Sequence, residues 1–180
     1  MKLVTGSYPP WYRLPASYPQ QIGRFITRWA YLEWRLKQSA YKILDIGPKQ
    51  GRLAVQEPRI KNYITMIEQL LRASKIHLST DFKTLKTGLE NLEIKRNAVI
   101  HGIWIKHPNF QTPVLQSTKG TWPKKRRTPG ESRKIQPEGI PVSADHIRQW
   151  VRSVDDANRL ITIFEKELDH ALQASRKKSR

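Results

Sequence analysis

Four long segments of the chain carry apolar residues at spacings of three and four, the pattern of a helix with one buried face. Proline and glycine separate these segments, and Ser, Thr or Asp residues precede two of them as candidate N-caps. The predicted helices span residues 19–46, 58–76 and 80–102, with a last long helix that follows a Ser143 cap. The sequence therefore predicts an all-α fold: a four-helix bundle with a proline-rich basic insertion or short β-hairpin before its last helix.

The length of 180 residues suits one domain with a single core. We predict this domain over residues 19–174, after an extended N-terminal arm at 1–18 that is rich in proline and aromatic residues. An insertion at 104–142 interrupts the domain and holds six of the twelve prolines. A basic tail at 175–180 completes the predicted organisation.

The start of the insertion has the pattern of a strand pair. Residues 103–106 and 114–117 are short apolar runs separated by a segment that contains two prolines and an asparagine. We predict that the two runs form a short hairpin.

The first helix carries apolar side chains on two sides. Its core stripe consists of Ile22, Phe25, Trp29, Leu32, Leu36 and Ile43. A second stripe, which points largely away from the first, consists of Tyr31, Trp34 and Tyr41. A helix with two apolar sides has two neighbours, either within its own domain or in a partner chain. We predict that Trp34 lies in an interface.

The charge of the chain points to a polyanionic partner. Thirty-three Lys and Arg against fifteen Asp and Glu give a net charge of +18, which favours a nucleic acid as partner. Two short runs, Lys124–Lys134 with a net +5 and Arg176–Arg180 with a net +4, supply half of this charge. The residues predicted to contact substrate phosphates are Lys124, Lys125, Arg126 and Arg127.

Several classes of protein are excluded or disfavoured. The chain has no cysteine, so disulfides, thiolate catalysis and cysteine-based zinc sites are absent. The five histidines lack the close spacing of metal ligands, and no glycine-rich phosphate loop occurs, so we expect neither a metal nor a cofactor. No signal-peptide core is seen, and no apolar run approaches the ~20 residues that span a bilayer. A cytoplasmic protein without a membrane partner is expected.

The third predicted helix ends in three polar residues that require an explanation. Arg96 lies in phase with the apolar residues of this helix, where a guanidinium is costly to bury because it cannot lose its charge. It therefore lies at an open edge of the apolar stripe or faces an anion, for which Glu33 is one candidate. Asn97 and His101 are four residues apart on a neighbouring face, and Gly102 ends the helix.

The run RNAVIH over residues 96–101 resembles the R-x4-6-H signature of the HEPN superfamily, in which a polar residue directly follows the arginine. Its position, late in a helical bundle and before the last long helix, agrees with that family. The run WAYLE over residues 29–33 also looks like part of the opening helix of such domains. The resemblance covers roughly residues 19–174.

The resemblance implies a metal-independent endoribonuclease that acts as a homodimer with a composite active site, as in toxins and phage-defence effectors with an antitoxin protein as partner. His101 would exchange protons with the ribose 2′-hydroxyl and the leaving 5′-oxygen, and Arg96 would stabilise charge on the phosphoryl group. Asn97 would orient the cluster or the substrate. Imidazole and guanidinium chemistry suit these roles.

One position departs from the family pattern. In toxins that a nucleotidyltransferase antitoxin modifies, a tyrosine lies two residues after the histidine, and here this residue is Ile103.

Three alternatives remain open. In the first, Arg96 is a structural ion-pair residue and His101 a helix cap, in a non-catalytic HEPN-like module that binds RNA or protein. In the second, the chain is a basic helical protein that binds DNA or ribosomes. The third concerns Glu33, which is a plain exposed carboxylate or a catalytic helper.

Overall fold

The computed structural model describes residues 4–5, 13–54, 59–116 and 138–178. Its elements in chain order are β1 (Val4–Thr5), α1 (Ser17–Leu44), α2 (Pro48–Ala54), α3 (Ile60–Ala73), α4 (Phe82–His101), β2 (Ile103–Ile105), β3 (Val114–Gln116), β4 (Glu138–Pro141) and α5 (Ala144–Lys178). The chain is mostly helical, as the sequence predicts, and it carries a small antiparallel sheet. Within the described residues, no helix is both long and apolar enough to cross a membrane.

The first helix begins earlier than Pro19, at Ser17. The backbone N–H of Tyr18 donates to the carbonyl of Pro15, and the Tyr18 hydroxyl donates to the carbonyl of Val142, at 2.9 Å. Tyr18 is buried, so it belongs to the helical domain and not to the arm predicted at 1–18. The helix starts early because this side chain anchors its first turn to the residues just before α5.

A short helix that the sequence analysis missed, α2, follows α1 and changes the environment of Tyr41. A Cβ atom on Gly51 would lie 2.4 Å from the Tyr41 ring, so α2 passes directly over that ring. Tyr41 is buried, so this member of the second stripe of α1 has its neighbour within the domain. Only Tyr31 and Trp34 of that stripe are exposed.

The observed N-caps of α4 and α5 lie at predicted cap residues, whereas the observed helix lengths differ from the predicted ones. Asp81 caps α4 by accepting hydrogen bonds from the backbone N–H groups of Lys83 and Thr84, and Ser143 caps α5 through the N–H of His146. The last helix extends to Lys178, so residues 175–178 of the predicted tail are helical. Their sequence contains no glycine or proline that would end the helix.

The core lies between α1, α3, α4 and α5. α1 packs on α5 and α3, and α4 packs on α3 and α5. The largest fully buried side chains are Trp29, Phe25, Phe164, Leu32, Leu36, Ile60, Ile64, Ile67, Leu89, Ile105, Leu115 and Ile147. The core stripe predicted on the first helix provides four of these residues.

An ion pair between the buried Arg35 and the half-buried Glu165 joins α1 to α5. Arg35 is only 6% exposed, and its guanidinium holds the Glu165 carboxylate through two bonds, from Nη2 at 2.6 Å and from Nε at 3.2 Å. The remaining N–H groups donate to the carbonyl of Asn158 at 2.7 Å and to the Thr162 hydroxyl at 2.8 Å. Because the guanidinium is almost fully hydrogen-bonded, its burial is compensated.

Two further ion pairs continue this contact in both directions. Seven residues before Arg35, Arg28 pairs with Asp155 at 2.9 Å, and seven residues after it, Lys42 pairs with Asp169 at 2.9 Å. Residue numbers rise together on both helices, so α1 and α5 run parallel. A seven-residue spacing keeps these pairs on one seam between the two helices.

The sheet has the strand order β1-β4-β3-β2, and every pair is antiparallel. The hairpin predicted at the start of the insertion is confirmed, with Ile103 opposite Gln116 and Ile105 opposite Val114. β4 adds to β3, and Val4–Thr5 of the N-terminal arm adds to β4. The sheet follows α4 in the chain and precedes α5, so it lies where these two helices meet.

We expect Arg35→Ala to lower the free energy of unfolding by about 3 kcal/mol, because the substitution leaves the Glu165 carboxylate without its cation. Arg28→Ala is the matched control on the same seam, since both members of the Arg28–Asp155 pair are 43% and 36% exposed. It should cost less than about 1 kcal/mol. Urea denaturation measures both, and equal losses would contradict the role given to burial.

The connection between α3 and α4 is held by one carboxylate of α5. Glu167 accepts hydrogen bonds from the hydroxyl and the backbone N–H of Ser79, and from the N–H of Thr80 at 3.2 Å and its hydroxyl at 3.0 Å. These donors lower the pKa of Glu167, and the hydrogen bond from the Ser79 hydroxyl has the largest effect. A carboxylate with a lowered pKa stabilises the fold above its unfolded-state pKa, and this contribution is lost as the pH falls through the folded-state pKa.

Glu167→Gln should therefore flatten the acid side of the stability curve. The wild type should lose stability as the pH falls from the ordinary glutamate pKa through the lowered folded-state pKa, and the variant should be less stable at neutral pH but lose less over the same interval. Urea denaturation at a series of pH values measures the two curves. Parallel curves would contradict a stabilising role for the ionised carboxylate.

Candidate functional site

The C-terminal end of α4 lies beside the first turns of α5. The rings of Phe82 and Phe164 meet edge to face with their centroids 5.4 Å apart, and Lys95 Nζ lies 5.9 Å from the centroid of the Trp150 ring. Rising residue numbers on α4 thus meet falling numbers on α5, and the two helices are antiparallel. The residues that end α4 are thereby placed at the sheet end of the helices.

Arg96 lies at a partly open edge of the core. Leu92 and Val99, one turn before and after it, are buried, whereas Arg96 is half-buried. Its Nη1 donates to Asn97 Oδ1 at 2.9 Å, and its Nε is buried with no hydrogen-bond partner within the described residues. Of the two sequence interpretations, the open edge is the one observed. Glu33 is half-buried on α1 and forms no ion pair with Arg96.

His101 is the last residue of α4 and is exposed. It follows Asn97 by one helical turn, so the amide and the imidazole project from the same side of the helix. The structure therefore brings Arg96 and Asn97 into direct contact and places His101 next to them along the helix. A cation, an amide and an imidazole are gathered at one solvent-accessible helix end.

Gly102 holds this helix end against the sheet. Its N–H donates to the carbonyl of Ala98 at 2.7 Å, and its backbone is extended, with φ −84° and ψ 160°. A Cβ atom here would lie 2.3 Å from the Ala98 carbonyl oxygen and 2.7 Å from Leu115 Cδ1 of β3. The predicted helix stop is confirmed, but the reason for glycine is this close approach and not a left-handed backbone.

The chemistry available to the cluster is that of charge stabilisation and proton transfer. A guanidinium presents N–H donors that match phosphate oxygens, and an exposed imidazole can accept or donate a proton. Among the described residues, no group of three His, Asp or Glu side chains is arranged to hold a metal ion. Lys124, Lys125, Arg126 and Arg127, the predicted substrate-binding residues, lie outside the described residues.

Sequence reasoning missed Arg35, whose guanidinium donates hydrogen bonds to Glu165, Asn158 and Thr162. One signal was present, since Arg28, Arg35 and Lys42 recur every seven residues in the first helix, as do Asp155, Thr162 and Asp169 in the last. Two such series of complementary polar residues indicate a parallel helix pair. The signal is readable only once the two helices are known to be neighbours.

Comparison with known protein families, with curated proteins and with solved structures finds no match for this chain. Its function is therefore argued from the geometry and chemistry of the described residues.

Two glycines of the α4 region provide a matched test of this geometry. Gly102→Ala should lower the free energy of unfolding by about 1–3 kcal/mol, because its methyl group collides with backbone and with Leu115. Gly88→Ala, in the interior of α4 with open space around it, should raise stability by about 0.5–1 kcal/mol. Thermal and urea denaturation measure both. A neutral Gly102→Ala would show that the contact with β3 is loose.

Proposed function

We propose that the chain is a HEPN-like four-helix domain that acts in the cytoplasm as a metal-independent endoribonuclease, in the manner of a toxin or phage-defence effector. The observation that carries the proposal is the contact between Arg96 and Asn97 beside the exposed His101 at the end of α4. The net charge of +18 supports RNA as the substrate.

The helix arrangement supports the HEPN-like interpretation. α1, α3, α4 and α5 pack around one core, and the RNAVIH run ends the helix that precedes the last long one. The short helix α2 and the sheet are additions at the ends of these helices. That these four helices form a HEPN-type bundle is proposed together with the activity.

In the proposed reaction, the 2′-oxygen of a ribose attacks the adjacent phosphorus, and the bond from phosphorus to the 5′-oxygen breaks. One His101 imidazole takes the 2′-hydroxyl proton as general base, and an imidazolium gives a proton to the departing 5′-oxygen as general acid. Arg96 binds the phosphoryl oxygens as negative charge grows on them. The products are a 2′,3′-cyclic phosphate and a free 5′-hydroxyl.

A homodimer makes this chemistry more efficient. The base and the acid act at the same time on opposite sides of the phosphorus, and a single His101 cannot occupy both positions. Two copies of the α4 end facing one RNA strand supply one imidazole for each step. An antitoxin protein that covers this cleft would complete the proposed regulation.

A second candidate, a non-catalytic HEPN-like module that binds RNA or a partner protein, is favoured by one observation. The Arg96 Nε is buried, and its Nη1 is held by Asn97, so part of the guanidinium belongs to the packing of α4. This candidate predicts binding without cleavage.

The decisive test compares the wild type with Arg96→Ala and His101→Ala on end-labelled single-stranded RNA in the presence of EDTA. We expect wild-type cleavage that leaves cyclic phosphate ends, and a loss of about 10²-fold or more in each variant. His170→Ala, which removes another exposed histidine from the far part of α5, is the matched control and should cleave like the wild type.

Each other outcome assigns a different function. Tight, salt-sensitive RNA binding with no cleavage by any of these proteins would replace the nuclease with the binding module. Cleavage that survives both substitutions, or that stops with EDTA, would contradict the assigned residues or the metal independence.

A further inference from the structure

Two aromatic side chains are stacked on the surface of α1. Tyr31 and Trp34 are 53% and 54% exposed, and their rings are 5.8 Å apart and within 18° of parallel. The Arg35 guanidinium carbon lies 5.6 Å from the centroid of the Tyr31 ring. We call Tyr31 and Trp34 the aromatic pair.

The aromatic pair is held in place before any partner binds. Arg35 is fixed by its bonds to Glu165 and Thr162, and it contacts the Tyr31 ring, which in turn stacks on Trp34. An ordered aromatic surface loses little side-chain entropy on binding, so more of the contact energy is retained as affinity. Such a surface suits a flat partner.

A line of exposed cations borders the same seam on α5. Arg152, Arg159 and Lys166 recur every seven residues, and each precedes by three residues a member of the series Asp155, Thr162 and Asp169. That series faces α1, so the three cations lie along the solvent side of the seam. We call these three cations the basic ridge.

The acidic residues along this seam do not cancel the ridge. Asp155, Glu165 and Asp169 are each paired with a cation of α1. Within the described residues, the ridge forms one ion pair, between Arg159 and Asp156, whose side chains are 80% and 66% exposed. An ion pair this exposed is worth little, so phosphate can replace the carboxylate. On α1, the exposed Arg24 lies seven residues before Tyr31 and adds a further cation to this face.

We propose that the aromatic pair and the basic ridge form a binding surface for a single-stranded nucleic acid. An unpaired base stacks on Trp34 and Tyr31, and the phosphates follow the ridge along α5. Stacking platforms beside tracks of cations are how proteins hold single strands, whereas bases in a duplex already stack on their neighbours. This surface lies on α1 and α5, apart from the α4 cluster, and the proposal stands whether or not the chain cleaves RNA.

The stacking step is tested by binding measurements on the full chain that carries His101→Ala, so that RNA remains intact if the chain is a nuclease. The probes are a dye-labelled oligouridylate and an abasic oligomer of the same length and charge, followed by fluorescence anisotropy. We expect the parent protein to prefer the base-containing strand, and Trp34→Leu to weaken its binding roughly tenfold without weakening binding of the abasic strand.

Two variants control the stacking test. Trp34→Phe keeps an aromatic face and should restore most of the preference for the base-containing strand. Ile163→Ala removes an apolar side chain of equal exposed fraction, 54%, from the pocket that α5 forms with the start of α4, and should bind like the parent. Thermal denaturation confirms that each variant is folded.

The ridge is tested by charge removal. A triple variant with Arg152→Gln, Arg159→Gln and Lys166→Gln should weaken binding of both strands and reduce the slope of log affinity against log salt by about 2. The matched control removes three exposed cations from outside this face, as Arg72→Gln, Lys75→Gln and Lys83→Gln. An equal effect of the two triple variants would overturn the ridge as a phosphate track.

The alternative partner is a second copy of the chain, and sedimentation equilibrium detects it. If Trp34→Leu binds both strands like the parent, the proposal is wrong, and if it also converts a dimer to a monomer, the aromatic pair is a protein interface. A DNA oligomer of the same length and charge tests whether the surface distinguishes ribose from deoxyribose. Equal affinity for the DNA and RNA oligomers would show that the surface recognises only bases and phosphates. Weaker binding of the DNA oligomer would show that the surface favours RNA.

Discussion

The seam between α1 and α5 depends on one buried guanidinium. Arg35 cannot shed its charge, so its burial is tolerated only while Glu165, Thr162 and the Asn158 carbonyl surround it. A shift of either helix by one residue would separate these groups. The interaction therefore fixes the register of two helices that are distant in the chain. The exposed ion pairs seven residues to either side agree with the parallel orientation of the helices but contribute little to the free energy of unfolding.

This register determines where the rest of the molecule lies. α4 packs antiparallel on α5, so its last turn comes to the sheet end, where Gly102 makes close contact with Leu115. The cluster at the end of α4 thus sits on a rigid helix braced by β3. The same register holds the Arg35 guanidinium against the Tyr31 ring, so the exposed aromatic pair lies on the side of α1 that faces α5.

Arg35 and Arg96 both lie among buried apolar side chains, and they meet different partners. Arg35 finds a carboxylate within the fold, whereas Arg96 contacts only the neutral amide of Asn97 among the described residues. A half-buried guanidinium that has no carboxylate partner within the described part of the chain is suited to bind an external anion. This contrast supports Arg96, and not Arg35, as the residue that meets phosphate.

The sequence by itself determined the local features: the four long helices, the Ser143 cap and a cap among residues 79–81, the hairpin, and the placement of Arg96, Asn97 and His101 at one helix end. These follow from spacing and backbone preference within a few residues. Only the tertiary structure decided the partners of Arg35, the burial of Tyr41 beneath α2 and the contact of Arg35 with the Tyr31 ring. Each depends on side chains far apart in the chain, because a helix pattern states which face is buried but not which helix covers it.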